Sequence, residues 1–168
     1  MITKSAFDFI VDRDKKTITV KREFPAKLSL VWDAYTKSEI LDQWWAPKPW
    51  KARTKKMDFR EGGQWVYAMV GPEGQEHWAV VDYTSIQPRK KFTGRDAFAD
   101  AEGNINKELP QATWEIKFSD NGDSTLVECL VTYDDLAQLE TIIKMGFKEG
   151  MEVAMQGLED LLSSKEIA

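Results

Sequence analysis

From residue 50 to residue 134 the apolar residues recur at every second position, in short runs divided by turn signals. Beyond residue 135 the period lengthens to that of a helix. Trp65, Tyr67 and Met69 alternate after Gly62-Gly63, and Trp78, Val80 and Ile86 precede Pro88. Trp114, Ile116 and Phe118 alternate with Thr113, Glu115 and Lys117, and Val127, Cys129, Val131 and Tyr133 follow the Asn-Gly turn of Asp120-Asn121-Gly122-Asp123. Period-two alternation broken by short turns predicts antiparallel strands joined as a meander. Upstream, Ile18, Val20 and Phe24 mark another strand, with Phe7 to Val11 pairing to it across Asp12-Arg13-Asp14-Lys15.

Helices fill the rest. Leu28, Val31, Trp32 and Tyr35 stand at helical spacing. A second short helix is expected to start with Ser38 as N-cap and to end at Trp45, before Pro47 and Pro49. Asp135 and Gln138 resemble a capping box ahead of Leu136, Leu139, Ile142 and Ile143. Phe147, Met151, Ala154, Leu158, Leu161 and Leu162 then lie on one face of a longer helix over about 146–164. The fold class is α+β: a curved antiparallel sheet of six or seven strands around that helix, with two short helices between the first strands. The whole chain, 1–168, reads as a single domain.

Composition removes several functions. A net charge of −5 speaks against nucleic acid as the main partner. One histidine and one cysteine, His77 and Cys129, cannot supply the usual three or four zinc ligands. Any Ser-His-Asp or Cys-His pair would have to use His77, and no nucleophile elbow or Walker-type loop is present. Any catalysis must therefore rest on carboxylates, tyrosines, arginines or an external cofactor, and no metal, cofactor or catalytic residue is assigned. An unpaired cysteine fits a reducing compartment, and charges interrupt the first residues, Met1 to Asp8, before a signal-peptide core forms. No apolar run approaches the length of a membrane span, so a cytoplasmic chain without membrane insertion is expected.

Some residues break the pattern. Gly150 and Gly157, with Ala154 between them, form a smooth stripe on the last helix, for close packing or for room beside a ligand. Arg22 lies in the apolar phase of its strand, Asp82 in phase with Trp78 and Val80, and Asp96 in phase with Phe92 and Phe98. A buried charge must find a partner or change protonation state. His77 reads as a surface group at a strand start, and Cys129 as a buried, unreactive thiol. Lys48, Lys51, Arg53, Lys55 and Lys56 make a basic run beside Trp44, Trp45 and Trp50. That run reads either as a solvated strand face or as a docking patch for a protein partner.

Several motifs together resemble a known family. They are Ala26 to Thr36, Leu41-Asp42-Gln43-Trp44-Trp45-Ala46-Pro47, Asp58-Phe59-Arg60-Glu61-Gly62-Gly63-Gln64-Trp65, Gly71-Pro72-Glu73-Gly74, Gly146 to Gly150, and the closing Leu158 to Leu162. The chain resembles the activator-of-Hsp90-ATPase-homologue-like family, in the START (SRPBCC) helix-grip superfamily, over about 16–164. The resemblance implies a sheet gripping the last helix, and relatives bind hydrophobic molecules between the two. It also favours packing as the reason for Gly150. Ala79 departs from a commoner glycine, and Pro88-Arg89-Lys90-Lys91 is more basic than usual. The eponymous co-chaperone carries a second domain for which this chain is expected to have no room.

The leading expectation is non-enzymatic binding of a small hydrophobic molecule. Its site would use Trp65, Tyr67, Trp78, Trp114 and Phe118 on the sheet and Phe147, Met151 and Met155 on the helix. Arg22 or Tyr133 would orient one polar group. A cyclase-, dehydratase- or hydrolase-like enzyme using Asp82 or Asp96 is the alternative, and a protein-interaction module acting through Lys48–Lys56 is a third. A homodimer stays open.

Overall fold

The computed structural model describes residues 7–164. The expectation placed on the first six residues lies outside them. Strand β1 (Phe7–Asp12) and β2 (Thr17–Phe24) form the first hairpin. Helices α1 (Leu28–Thr36) and α2 (Ser38–Trp44) follow. The meander then runs β3 (Lys51–Met57), β4 (Gln64–Val70), β5 (Glu76–Gln87), β6 (Lys91–Ala99), β7 (Gln111–Asp120) and β8 (Thr125–Tyr133). Helices α3 (Leu136–Lys144) and α4 (Phe147–Ser164) close the described chain.

All strand pairings are antiparallel, in the order β1-β2-β8-β7-β6-β5-β4-β3. The sheet has eight strands among the described residues rather than six or seven. Both the amino-terminal hairpin strand and the basic strand after Trp50 join it in full, β3 as an edge. Position two-fold alternation explains β2, whose Ile18, Val20, Arg22 and Phe24 are buried in turn while the residues between them are half-buried. α4 lies against the concave face with Met151, Ala154, Met155, Leu158 and Leu162 buried.

Ser38 is the first helical residue of α2 and not its cap; Lys37 holds the cap position without a side-chain bond. Asp135 does cap α3, its carboxylate accepting from the Gln138 N–H at 2.8 Å. Gly146, at φ +88°, separates α3 from α4 in a backbone conformation that side-chain-bearing residues rarely adopt. α2 is pinned to β3 through Asp42, whose carboxylate accepts from the Thr54 N–H at 3.0 Å and hydroxyl at 2.6 Å. Thr54 Oγ1 in turn accepts from the Trp65 indole N–H at 3.0 Å. This chain of bonds brings Trp44 and Trp45 over the end of the sheet.

Two details overturn the expected faces. On β5 the concave side carries His77, Ala79, Val81 and Tyr83, so Trp78, Val80 and Asp82 face outward. Outward does not mean bare: Val66, Val80 and Ala97 form a second small core there. The chain between β6 and β7 folds back over it, placing Gly103 against Val66 and Val80. Both faces of β5 are thus apolar, and alternation alone does not tell them apart. The glycine stripe of α4 is also not a packing necessity. A Cβ on Gly150 would make an ordinary 3.7 Å contact with Pro47, and one on Gly157 would meet nothing within 4 Å.

Candidate functional site

Between the concave face, Pro47 after α2, and the junction of α3 with α4 lies a cavity of about 220 Å³. Its walls are largely apolar, with Trp45, Tyr67, Trp114, Tyr133 and Phe147 supplying aromatic rings and Met151 reaching in from the helix. Room exists because small residues face it, Ala79 from β5 and Gly150 from α4. His77 and Met145, both exposed, stand among its lining residues. A recess of about 30 Å³ lies beneath, bordered by Tyr35, Trp65, Val81 and Tyr83. That is space for about one water molecule. Trp45, Trp114 and Asp96 border both spaces.

The aromatic wall is braced. Trp65 stacks on Tyr67 at 4.0 Å, Trp45 packs edge-on to Trp65 at 5.8 Å, and Phe147 lies edge-on to Trp114 at 5.9 Å. The Trp45 indole N–H donates to the Tyr67 hydroxyl at 2.9 Å. Burial holds the Tyr67 and Tyr133 phenols well above the usual tyrosine range, the Asp96 charge adding to the effect, so both stay protonated.

Asp96 is the one carboxylate among the described lining residues. Register puts it there: Trp65, Val81, Asp96, Ala112 and Tyr133 stand side by side across β4, β5, β6, β7 and β8. Desolvation pushes its carboxyl up to about 7, offset in part by the Trp114 indole N–H, the Arg95 guanidinium and the Ala112 N–H. The Trp114 N–H is buried with no bond inside strict hydrogen-bond geometry, yet it faces the Asp96 carboxyl and lowers it. Arg95 turns away, its guanidinium bonded to Asp134 and Thr113. Asp96 therefore meets the cavity with no cation among the described residues paired to it.

Of the residues expected to form a site, Tyr67, Trp114, Tyr133, Phe147 and Met151 line the main cavity, and Trp65 lines the recess. Four lie elsewhere. Arg22 is buried under α4, its guanidinium donating to Gln156 and Glu159, each at 2.9 Å. Phe118 is four residues along β7 from Trp114, about 13 Å at strand rise, and packs with Trp32 at 5.0 Å and Tyr35 at 5.4 Å. Met155 sits one turn deeper than Met151 and is fully buried. Trp78 is on the outer face, with Arg53 and Lys55 over its ring at 5.7 and 5.9 Å.

Those two cations belong to the basic run, and both are engaged within the chain. Arg53 bonds Glu76 at 2.6 Å and Lys55 bonds the Ala101 carbonyl at 2.5 Å. Asp82 accepts from the Gln64 amide at 2.9 Å on the outer face, away from the cavity. Cys129 is fully buried and its thiol is pushed up to about 12 by desolvation, which keeps it inert. Among the described residues no cluster of three or more His, Cys, Asp or Glu could hold a metal. None of their helices is long and apolar enough to cross a membrane.

The sequence pattern misses His77 and Ala79 as lining residues because it takes the opposite face of β5 as concave and His77 is exposed; Phe98, on β6, lines the cavity in phase with Asp96. Asp96 was visible as a charge in apolar phase, but nothing local tied it to Trp114 or Trp45.

The architecture recurs in solved structures. Protein Ms6760 from Mycobacterium smegmatis is 29% identical, with a TM-score of 0.86 over 95% of this chain and 97% of that one. A protein from Arthrobacter aurescens is 26% identical, with a TM-score of 0.89 over 95% and 92%. The AHSA1 protein from Silicibacter pomeroyi, 16% identical with a TM-score of 0.70 over 89% and 99%, shares the fold. No curated protein matches the chain. The family model for activator of Hsp90 ATPase homolog 1-like proteins matches residues 25–163, nearly everything from the end of β2 to the end of α4. The chain belongs to that family, in its helix-grip form.

Proposed function

We propose that the chain binds a small, largely apolar molecule in the cavity between sheet and α4, with Asp96 at the polar end of the site. The observation that carries this reading is an aromatic-walled space of about 220 Å³ that contains one carboxyl group. Its size selects among ligands. An engineered cavity of roughly 150 Å³ holds benzene, and drug-sized molecules need roughly 300–1,000 Å³. One substituted ring fits inside, whereas a sterol or a long acyl chain would leave most of its surface outside. Apolar contact supplies affinity, and the Tyr133 hydroxyl is available to a polar substituent.

Trp45 and Trp114 line the cavity, so their emission reports on occupancy. Titration with single-ring compounds is expected to change tryptophan fluorescence saturably, and fatty acids and sterols to bind more weakly. No saturable response to any of the three classes would defeat the proposal. A second reading is favoured by Asp96 alone. A carboxyl that titrates near 7 can both give and take a proton at neutral pH, as a general acid–base catalyst must. On that reading Asp96→Asn abolishes turnover of a bound compound while leaving its binding measurable.

A further inference from the structure

We propose that the ligand of this cavity is a small organic cation: an amine carried on a single ring, its ammonium group seated against Asp96. The inference rests on the small-molecule reading above and names the chemical class of that ligand. Three observations converge on it. First, Asp96 lines both the cavity and its recess with no cation among the described residues paired to it, Arg95 being committed to Asp134. A desolvated carboxylate is costly until a positive charge joins it, and a ligand can bring that charge. Second, the walls around it are Trp45, Tyr67, Trp114, Tyr133 and Phe147. Aromatic rings attract ammonium groups through their electron-rich faces, and cages of such rings recognise amines.

Third, no lysine or arginine stands among the described lining residues, so an anionic ligand would meet Asp96 with no compensating charge. The amino-terminal end of α4 and the carboxy-terminal end of α3 both abut the cavity beside Gly146, and their opposed dipole ends offset one another. The other titratable groups facing the space are the Tyr67 and Tyr133 phenols, from β4 and β8, and His77 from β5 at the exposed end; α3 and α4 contribute only apolar side chains and Gly146 and Gly150 to the lining.

Binding of an ammonium must be linked to loss of the Asp96 proton. An alkylamine stays charged to about pH 10, so between pH 6 and pH 8 only the protein side titrates. Three probes with one ring and one chain length separate the alternatives: 2-phenylethylamine, 2-phenylethanol and 3-phenylpropionate. Each is titrated by calorimetry and by tryptophan fluorescence at pH 6 and pH 8. At pH 8 the amine is expected to bind at least about tenfold more tightly than the alcohol, with the propionate weakest. Its affinity should fall about tenfold from pH 8 to pH 6. At pH 6 binding should release a proton, read from the dependence of the heat on the buffer's ionisation enthalpy.

Asp96→Asn is expected to erase the amine preference while the alcohol still binds, and His77→Gln to leave the pH profile unchanged. If the asparagine variant does not fold, the wild-type pH profile and proton release decide the matter. An alcohol or propionate that binds as well as the amine at pH 8 overturns the cation and leaves the small-molecule reading standing. So does an amine preference that survives in Asp96→Asn. Silence from all three probes overturns the cation, and the small-molecule reading falls with it only if fatty acids and sterols are silent as well.

Discussion

Asp96 makes the stability of the fold depend on pH. In the unfolded chain its carboxyl titrates near 3.9, and in the folded chain at about 7. The folded state therefore holds the proton more tightly, and this group's contribution is most favourable below about pH 4. It is lost progressively between about pH 4 and pH 7 and is flat above, a total of about 4 kcal/mol at 1.36 kcal/mol per unit. Asp96→Asn should consequently be more stable than the parent by roughly 2–4 kcal/mol at pH 8 and equal to it near pH 4. Urea denaturation at the two pH values checks this, and a difference of equal size at both would show that Asp96 is already ionised without strain. Arg22 and Glu159 form an unequal pair, with side chains 2% and 22% exposed. Glu159→Ala strands a buried guanidinium and is expected to cost about 3–5 kcal/mol. Arg22→Met leaves a carboxylate that can reach water and should cost clearly less. The order of the two denaturation midpoints is the readout.

Among the elements, α4 carries glycines with opposite roles. Gly157 lies inside the helix with open space where its Cβ would be, so Gly157→Ala should stabilise the fold by roughly 0.5–1 kcal/mol. Gly146 stands at φ +88°, and Gly146→Ala should destabilise by more than Gly157→Ala gains. Denaturant midpoints for the two variants test both signs. Gly63, between β3 and β4, is constrained differently: a Cβ there would collide with the Asp58 carbonyl, and the Gly63 carbonyl accepts from the Tyr83 N–H at 3.0 Å. That contact ties the turn to β5 where its register with β6 shifts between Tyr83 and Ser85.

For the molecule as a whole, the grip of sheet on helix is closed at one end and open at the other. Trp32, Phe59, Phe92 and Phe118 interlock beneath α1. At the other end Ala79 and Gly150 leave the cavity unfilled. Ala79→Leu should occupy part of that space from the β5 side. The expected outcome is loss of single-ring binding by fluorescence titration, with stability unchanged or raised by roughly 0.5–2 kcal/mol. Undiminished binding in that variant would place the ligand elsewhere. The outer face has its own small core under the chain that joins β6 to β7, so the sheet is covered on both sides around β5.

What the sequence determined by itself are the elements and most of their faces. In β2, β7 and β8 one side is core and the other meets solvent or charge, so period-two alternation reports the buried side directly: Ile18, Val20, Arg22 and Phe24, then Trp114, Ile116 and Phe118, then Val127, Cys129, Val131 and Tyr133. The switch to helical spacing after Asp135, the capping pair and Gly146 likewise bounded α3 and α4, because caps and glycine conformations are local properties. Only the tertiary structure decided which face of β5 is concave. With Ala79 and Val81 on one side and Trp78 and Val80 on the other, the strand has no polar side to mark solvent. Nor could spacing along the chain bring Asp96 beside Trp45, Trp114 and Tyr133. That meeting depends on the register of β6, β7 and β8 and on the docking of α2 against β3, which brings the Trp45 ring to 6.0 Å from that of Trp114, 69 positions away in the sequence.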